Sequence, residues 1–346
     1  MENELLVYFM SGTGNSYRAA SWSAETAKTK NFAVKLLPLG RALPGKELSP
    51  GENSWLGVFY PTHAFTAPWP VIKLALRLPR GKGTKVLISA CRAGWMAGSW
   101  HLPGIEGTCT VLISLILLLK GYDVRGFQGL DMPSNWQAVH WGLRADNAKW
   151  FIARAKVKTE DFAGRIFSGE RIYRGWFFIF AGFMLSYVSL MYLVLGRFFL
   201  AKIMFADFNC DSCGICWKNC PFGALKPVLG RPYWTLKCES CQRCIAYCPQ
   251  GAIQTGFLYL AGFYWVFLGV FGFLPVMIFE RSFGLGSWLG FNLFYIFYSL
   301  VWIWFGYLFL FFGAKIRPLN SLLTWTTPTK FFRRYREPST SLKDLS

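Results

Sequence analysis

Two matching cysteine runs constrain this chain more than any other feature, because they hold eight of its ten cysteines. The first reads Cys-Asp-Ser-Cys-Gly-Ile-Cys-Trp-Lys-Asn-Cys-Pro at 210–221. The second, 28 residues on, reads Cys-Glu-Ser-Cys-Gln-Arg-Cys-Ile-Ala-Tyr-Cys-Pro at 238–249. Aligned over 210–225 and 238–253, the halves share Cys, Ser, Cys, Cys, Cys, Pro, Gly and Ala. Both follow the C-x2-C-x2-C-x3-C-P spacing of iron–sulfur ligation. Thiolates at i, i+3 and i+6 wrap one face of a cubic cluster. The fourth, on the next turn of helix, points away, and the Pro redirects the chain. Structural zinc uses paired C-x2-C knuckles with four ligands per ion. A third Cys in each half and two Cys-Pro endings go beyond that pattern. Dense thiolate clusters also imply a reducing compartment rather than disulfides. Cys91 and Cys109 fit no cluster spacing and read as small buried hydrophobes.

Residues 207–254 resemble the bacterial-type two-cluster ferredoxins, in which the fourth Cys of each run ligates the other cluster. The resemblance implies one [4Fe-4S] cluster on Cys210, Cys213, Cys216 and Cys248. It implies a second on Cys238, Cys241, Cys244 and Cys220.

Residues 1–170 follow another pattern. Leu5 to Met10 is a short apolar run suited to a buried parallel strand. It leads into Ser11-Gly12-Thr13-Gly14-Asn15-Ser16 and a helix-compatible stretch from Tyr17. A strand, a small-residue loop and a helix N-terminus form an anion site, with backbone N–H groups pointing inward and hydroxyls adding donors. No G-x4-G-K-[ST] is present and G-x-G-x-x-G is incomplete, so neither of those phosphate loops applies. Further apolar strands are predicted near 32–39, 56–60, 85–90 and 122–128, separated by helix-length segments. That rhythm predicts an α/β fold, a doubly wound parallel sheet with ligands beyond the carboxyl ends of its strands. Three loops are predicted there: Pro61-Thr62-His63-Ala64-Phe65, Cys91-Arg92-Ala93-Gly94-Trp95 and Met132-Pro133-Ser134-Asn135-Trp136. The run from Cys109 to Leu119 is too short to span a bilayer and reads as a core helix.

The 11–16 loop looks like the phosphate loop of flavodoxins, and the first and third strand-end loops resemble those of flavodoxin-like domains fused to ferredoxins. The chain therefore resembles the ferredoxin–flavodoxin fusion family, in a membrane-anchored variant. The resemblance implies FMN, with Ser11 to Ser16 at its phosphate. Thr62, His63, Ala64, Phe65, Ala93, Gly94, Trp95 and Asn135 would surround the rest. Phe65 or Trp95 is placed to stack on the ring, or to fill a core. His63 reads equally as a solvated loop residue or a proton donor. Free flavodoxins are acidic, whereas this domain is rich in Lys and Arg, which argues against a freely diffusing carrier.

Composition enters with the remainder. Of the residues 53% are hydrophobic, 18% aromatic and only 16% charged, and the apolar excess lies after residue 174. Gly175–Gly196, Thr255–Phe279 and Ser282–Ala314 carry no charge, and each is long enough for a membrane helix. The last two predict a hairpin over 255–314, its outer loop marked by Glu280 and Arg281. The basic tail, 315–346, is then cytoplasmic. Its Phe331–Arg336 stretch is suited to anionic headgroups. Segment 171–200 is expected to be re-entrant or in-plane, with Gly182 and Ser186 as bend points, and a transmembrane course is the alternative. A single crossing would put flavin and clusters on opposite sides and export the basic tail. The N-terminus begins with acidic residues and shows no secretory signal, so it is expected to stay in the cytoplasm.

The formal charge of +19 suits an anionic membrane surface or an acidic partner. The cations are scattered and no recognition motif accompanies them, so no nucleic acid is expected. The only histidines are His63, His101 and His140, so no bis-histidine haem is expected between the apolar helices. Apart from Asn292 those helices hold little polarity, which argues against ion transport. The expected function is electron transfer between FMN and two [4Fe-4S] clusters in domain 201–254, beside a redox partner protein or quinone at the cytoplasmic membrane. The alternative is a membrane oxidoreductase that reduces quinone by itself; no NAD(P) fingerprint or general acid–base pair is present to name a substrate.

Overall fold

The computed structural model describes residues 3–40, 54–138, 140–283 and 288–345. Strands β1 (Asn3–Phe9), β2 (Phe32–Pro38), β3 (Ser54–Pro61), β4 (Lys85–Ala97) and β6 (Asp123–Pro133) pair in parallel. With the short edge strand β7 (Ile172–Tyr173) the order is β2-β1-β3-β4-β6-β7. The five long strands thus follow the 2-1-3-4-5 order of a doubly wound, flavodoxin-like sheet. The fold is α/β, as expected.

Alternation along β1 explains the layering. Leu5, Val7 and Phe9 join a core with helix α1 (Asn15–Lys28) and helix α4 (Ala145–Phe167), through Ala19, Trp22, Phe162 and Ile166. Leu6, Tyr8 and Met10 face the other way, onto helix α2 (Trp69–Arg77) and helix α3 (Cys109–Leu119), through Val71, Leu74, Ile113 and Leu117. Central β3 is buried along its whole length, which its apolar sequence permits.

The sheet departs from the expected pattern at its functional edge. Residues 91–95 and 132–133 are strand, not loop, because the β4–β6 ladder runs on to Gly94 opposite Pro133. The end of β4 then folds back on an antiparallel β5 (Trp100–Leu102). Seven strands therefore replace the expected five. Gly94 is required there, since a Cβ would lie 2.3 Å from the Phe151 ring of α4. Helix α3 is a core helix only on one side; Leu115, Leu118 and Leu119 are exposed.

After β7 the chain enters α5 (Trp176–Met184), α6 (Ser186–Met191), a π-turn at Tyr192–Gly196, α7 (Arg197–Phe199) and a 3-10 turn to Ile203. The bend falls at Leu185, between the two expected bend points. Gly182 itself serves packing: a Cβ there would meet the Gly107 backbone at 2.0 Å. One side of this segment docks on the α/β domain. Ser189 Oγ donates to the Ala64 carbonyl, and Arg197 stacks on Trp69. The other side exposes Phe183, Tyr187, Leu190 and Met191.

The cysteine-rich part is built twice over. Strand β8 (Met204–Ala206), α8 (Ile215–Lys218) and β9 (Leu225–Val228) carry the first run. Strand β10 (Arg231–Trp234), α9 (Arg243–Ala246) and β11 (Ile253–Thr255) carry the second. Pairing β8 with β11 and β9 with β10, both antiparallel, relates the halves by an approximate two-fold. The repeat extends to the backbone. Left-handed residues recur 28 apart at Ser212 and Ser240, Gly214 and Gln242, and Gly223 and Gly251.

Helices α10 (Phe257–Val270), α11 (Phe273–Phe283) and α12 (Trp288–Gly313) follow. The expected single span 255–279 is broken between α10 and α11, and Glu280 and Arg281 lie inside α11 rather than in a loop. Residues 284–287 lie outside the described ones. Among the described residues, two helical stretches are long and apolar enough to cross a membrane, Ser186–Ile203 and Gly290–Gly313. The end of α12 docks on the cysteine-rich part, where Tyr307 Oη accepts the Trp234 N–H at 2.8 Å.

The tail corrects a further expectation. After α13 (Arg317–Trp325) it does not present Phe331–Arg336 as one lipid-facing patch. It runs as a strap across the seam between the α/β and cysteine-rich parts. Arg334 donates to the carbonyls of Ile245, Gly251 and Ile253, and Tyr335 Oη to Asn15 Oδ1. Leu345 is buried in the core beside α1. The Arg334 guanidinium spends its donors on these carbonyls in charge-assisted hydrogen bonds, which turns it into the seam.

Candidate redox site

The cysteines gather as two groups that touch. Burial pushes the Cys216 thiol up to about 12, helped by Cys210, Cys248 and Cys213. Burial likewise raises Cys244, with Cys238, Cys241, Cys216 and Cys220 adding to the shift. Cys241 is pushed up to about 11, again first by burial, against the pull of Arg243. Mutual repulsion thus joins Cys248 to the first run and Cys220 to the second, while Cys244 and Cys216 bridge the groups. A thiol raised in this way holds its proton tightly, so these thiolates would form together only with a cation bound among them to offset their charge.

Sulfur also receives backbone donors in matched places. The Ala224 N–H points at Cys220 Sγ (3.2 Å) and the Ala252 N–H at Cys248 Sγ (3.3 Å). These positions are again 28 apart. The Ser240 N–H points at Cys238 Sγ. Among the described residues no three Cys, His, Asp or Glu side chains converge on a single-ion site. Cys220, Cys238, Cys241 and Cys244 instead ring an internal space, with Cys216 at its edge.

A larger cavity, about 410 Å³, opens at the carboxyl ends of the strands. Its size lies in the range of small-molecule sites. Thr62, His63, Ala64, Phe65, Ala93, Trp95 and Asn135 line it, as do Asn15, Cys91 and Arg92. Of the 11–16 loop only Asn15 reaches it. Gly14 N–H donates to Ser11 Oγ, and Asn135 Nδ2 to Thr13 Oγ1, so the loop is drawn in on itself. Gly12 lies against the second cysteine run, where a Cβ would sit 1.7 Å from the Cys241 carbonyl oxygen. Gly14, at φ +107, lies under Glu337 and Thr340 of the strap. Gly94 faces Phe151, not the cavity.

His63 is not a solvated loop residue. Its Nδ1 lies 2.8 Å from Tyr192 Oη of the π-turn, and burial pushes its pKa down to about 4. The turn that carries it holds Ala64 and Phe65 at positive φ. Non-glycine strain of this kind collects at binding sites. Beneath the cavity Arg92 joins Glu106 and Asp131 in a buried ion cluster; burial raises the Glu106 carboxyl, against Arg92.

Several lining residues lie outside the expected set. Trp141 and His140 stack at 5.2 Å beside Trp95. Tyr192 and Leu200 come from the segment whose apolarity suggested lipid. Ser240, Cys241 and Gln242 come from the second cysteine run, so Cys241 borders both the cavity and the cysteine group. Each carries a motif-level signal for another role, and only packing brings it here. Between the two sites Arg243, 6% exposed, donates to the carbonyls of Ser11, Asn219 and Leu345.

Comparison with known proteins agrees with the cysteine geometry. Residues 209–253 match the family described as a 4Fe-4S dicluster domain. A solved structure of a flavodoxin from the domain Archaea aligns with 47% of this chain and 98% of its own length, at 18% identity and a TM-score of 0.28. No curated protein matches the chain. The α/β assignment rests on the strand order itself. The molecule therefore combines a doubly wound α/β domain of flavodoxin-like strand order with a 4Fe-4S dicluster domain, which supports an electron-transfer role.

Proposed function

We propose that this protein is a membrane-associated relay between FMN and two [4Fe-4S] clusters. Cys210, Cys213, Cys216 and Cys248 would hold one cluster, and Cys238, Cys241, Cys244 and Cys220 the other. The observation that carries the reading is Cys241, one residue shared by the second group and the wall of the cavity.

The cavity fits a planar ring, with Phe65, Trp95, Trp136 and Trp141 as aromatic walls. The phosphate end fits less directly, because Ser11–Gly14 is closed by its own hydrogen bonds. When bound, a flavin accepts two electrons and releases them singly, whereas a cluster carries one. The chain's own residues shield the pair from water. The strap closes one side and helices α5 to α7 the other.

The hairpin of α10 to α12 would anchor the relay, with flavin, clusters and tail on the cytoplasmic side and 186–203 in the plane of the interface. The docked and exposed faces of that segment support an in-plane position. A second reading, quinone reduction by this chain alone, is favoured by the His63–Tyr192 pair, which sets a proton-bearing contact in the cavity.

Anaerobic purification with iron, sulfide and flavin analysis tests the first reading. About eight irons per chain are expected from two cubane clusters, with FMN and two EPR signals on reduction. Zinc in place of iron, or iron without flavin, overturns it. Turnover with a reduced donor and a quinone analogue separates the second.

A further inference from the structure

A cleft of about 520 Å³ lies where three parts of the molecule meet, and it shares no lining residue with the strand-end cavity. Each part supplies a cation. Lys73 comes from α2, on the same helix face as Trp69 four residues before it. Arg197 comes from α7, Lys226 from β9, and Lys237 from the turn before Cys238. Among the described lining residues Glu239 is the only acid; it is 8% exposed and lies 3.7 Å from Arg197. Lys73, Lys226 and Lys237 have no ion-pair partner among the described residues. The surface cations of α4 are arranged differently, since Lys149, Lys156 and Arg165 each have an acid within 4.0 Å. Unpaired like charges on a concave wall focus a positive potential into the space between them. Phe222 and Glu239 line both this cleft and the cysteine-ringed space, so one layer of side chains separates the two.

We propose that this cleft is the docking site of an acidic, soluble one-electron carrier protein, which meets the second cysteine group there. Charge complementarity names the partner, and shape narrows it. A flat anionic bilayer reaches the rim of a concave site but not its floor. Arg197 also turns inward, onto Trp69 and toward Glu239. A small anion would need fixed donors, whereas Lys226 and Lys237 are exposed, on flexible stems. Such cations steer an encounter with a charged surface instead. In each encounter one electron leaves the carrier's reduced centre and reduces the second cluster, with no bond made or broken. Docking stands on the cleft alone. The electron step rests on the cluster reading above and gives the relay an entry separate from the cavity.

The probe is a free acidic flavodoxin, whose association with the cluster-loaded full chain in detergent is followed by stopped flow at varied salt. Lys226→Glu with Lys237→Glu reverses two exposed cations of the cleft. Lys28→Glu with Lys30→Glu makes the same charge change after α1, at the amino edge of the sheet. At about 10 mM salt, where charges act over roughly 30 Å, the first pair should associate about tenfold more slowly than wild type. The second pair should match wild type within about twofold, and the difference should close near roughly 1 M salt. Equal slowing in both pairs overturns the proposal, because net charge alone would then explain it. A wild-type rate that salt does not change overturns it too. The tenfold difference should persist in phosphatidylglycerol nanodiscs; its loss there means that lipid covers the cleft, and overturns the proposal. If the first pair loses iron, Lys73→Glu decides, since it lies outside the cysteine runs, and an unchanged rate overturns the proposal. EPR after rapid freezing reads the electron step separately. Docking without cluster reduction keeps the docking surface and removes the relay reading.

Discussion

The two cysteine runs share spacing, turns and N–H···S contacts, yet one faces water and the other the protein. In the first run Cys213 is exposed; in the second Cys238 is buried and Cys241 lies against Gly12 of the 11–16 loop, while Cys220, which closes the first run, is buried toward the second. One motif has been placed in two environments. Spacing sets which atoms hold a cluster, while neighbours set its potential, its access and what it can pass electrons to. On the proposed reading, the outer half would exchange electrons with a partner and the inner half with the cavity.

The largest effect should break the symmetry outright. Cys213→Ala and Cys241→Ala are each expected to lower iron from about eight to about four per chain. Only Cys241→Ala should also lose flavin, because losing the inner cluster would loosen the Ser240–Gln242 stretch that walls the cavity. Joint iron, sulfide and flavin analysis reads both; retention of flavin in Cys241→Ala would sever the two sites. Next comes Gly12→Ala. The added Cβ must push Cys241 away, so a loss of about 3 kcal/mol in denaturant unfolding is expected, with faster chelator release of one cluster only.

Acid should act on the inner side through His63. Its folded pKa is depressed from 6.5 to about 4 by burial. Between those values the unfolded chain binds the extra proton, so stability is full above 6.5 and declines as pH falls toward 4. The loss is on the order of 2 kcal/mol. Unfolding at pH 7 and pH 5 should show it, and His63→Asn should flatten the profile. A smaller effect is expected from Arg243→Gln beside Cys241. Removing a buried cation should lower one of the two cluster potentials by about tenfold in the reduction equilibrium, 59 mV for one electron, in an EPR-monitored titration. Equal shifts of both would mean the charge is not local. Asp211→Asn, on the exposed run, should move neither potential measurably, since solvent screens it.

Much of the site was legible because local chemistry demands particular residues at particular spacings. The cysteine groups and the parallel strands were of this kind. Burial on both sheet faces requires apolar runs, so β1 and β3 announce themselves. The hairpin was less legible. Uniform apolarity marks a stretch as membrane-compatible but carries no sign of the break between α10 and α11, nor of Glu280 and Arg281 inside a helix. The basic tail was misread for a similar reason, since a cluster of Arg looks the same whether it meets phosphate or backbone carbonyls.

By itself the sequence determined the ligand set's chemistry, the α/β class and the doubling of the cysteine part. Each is a local rule, enforced by thiolate geometry or by strand periodicity. Only the tertiary structure decided that Tyr192 meets His63, that Gly12 abuts Cys241, and that the strap seals the seam. These contacts join residues more than a hundred positions apart. They exist because buried polar groups must find partners wherever packing brings one near, and no pattern along the chain encodes that choice.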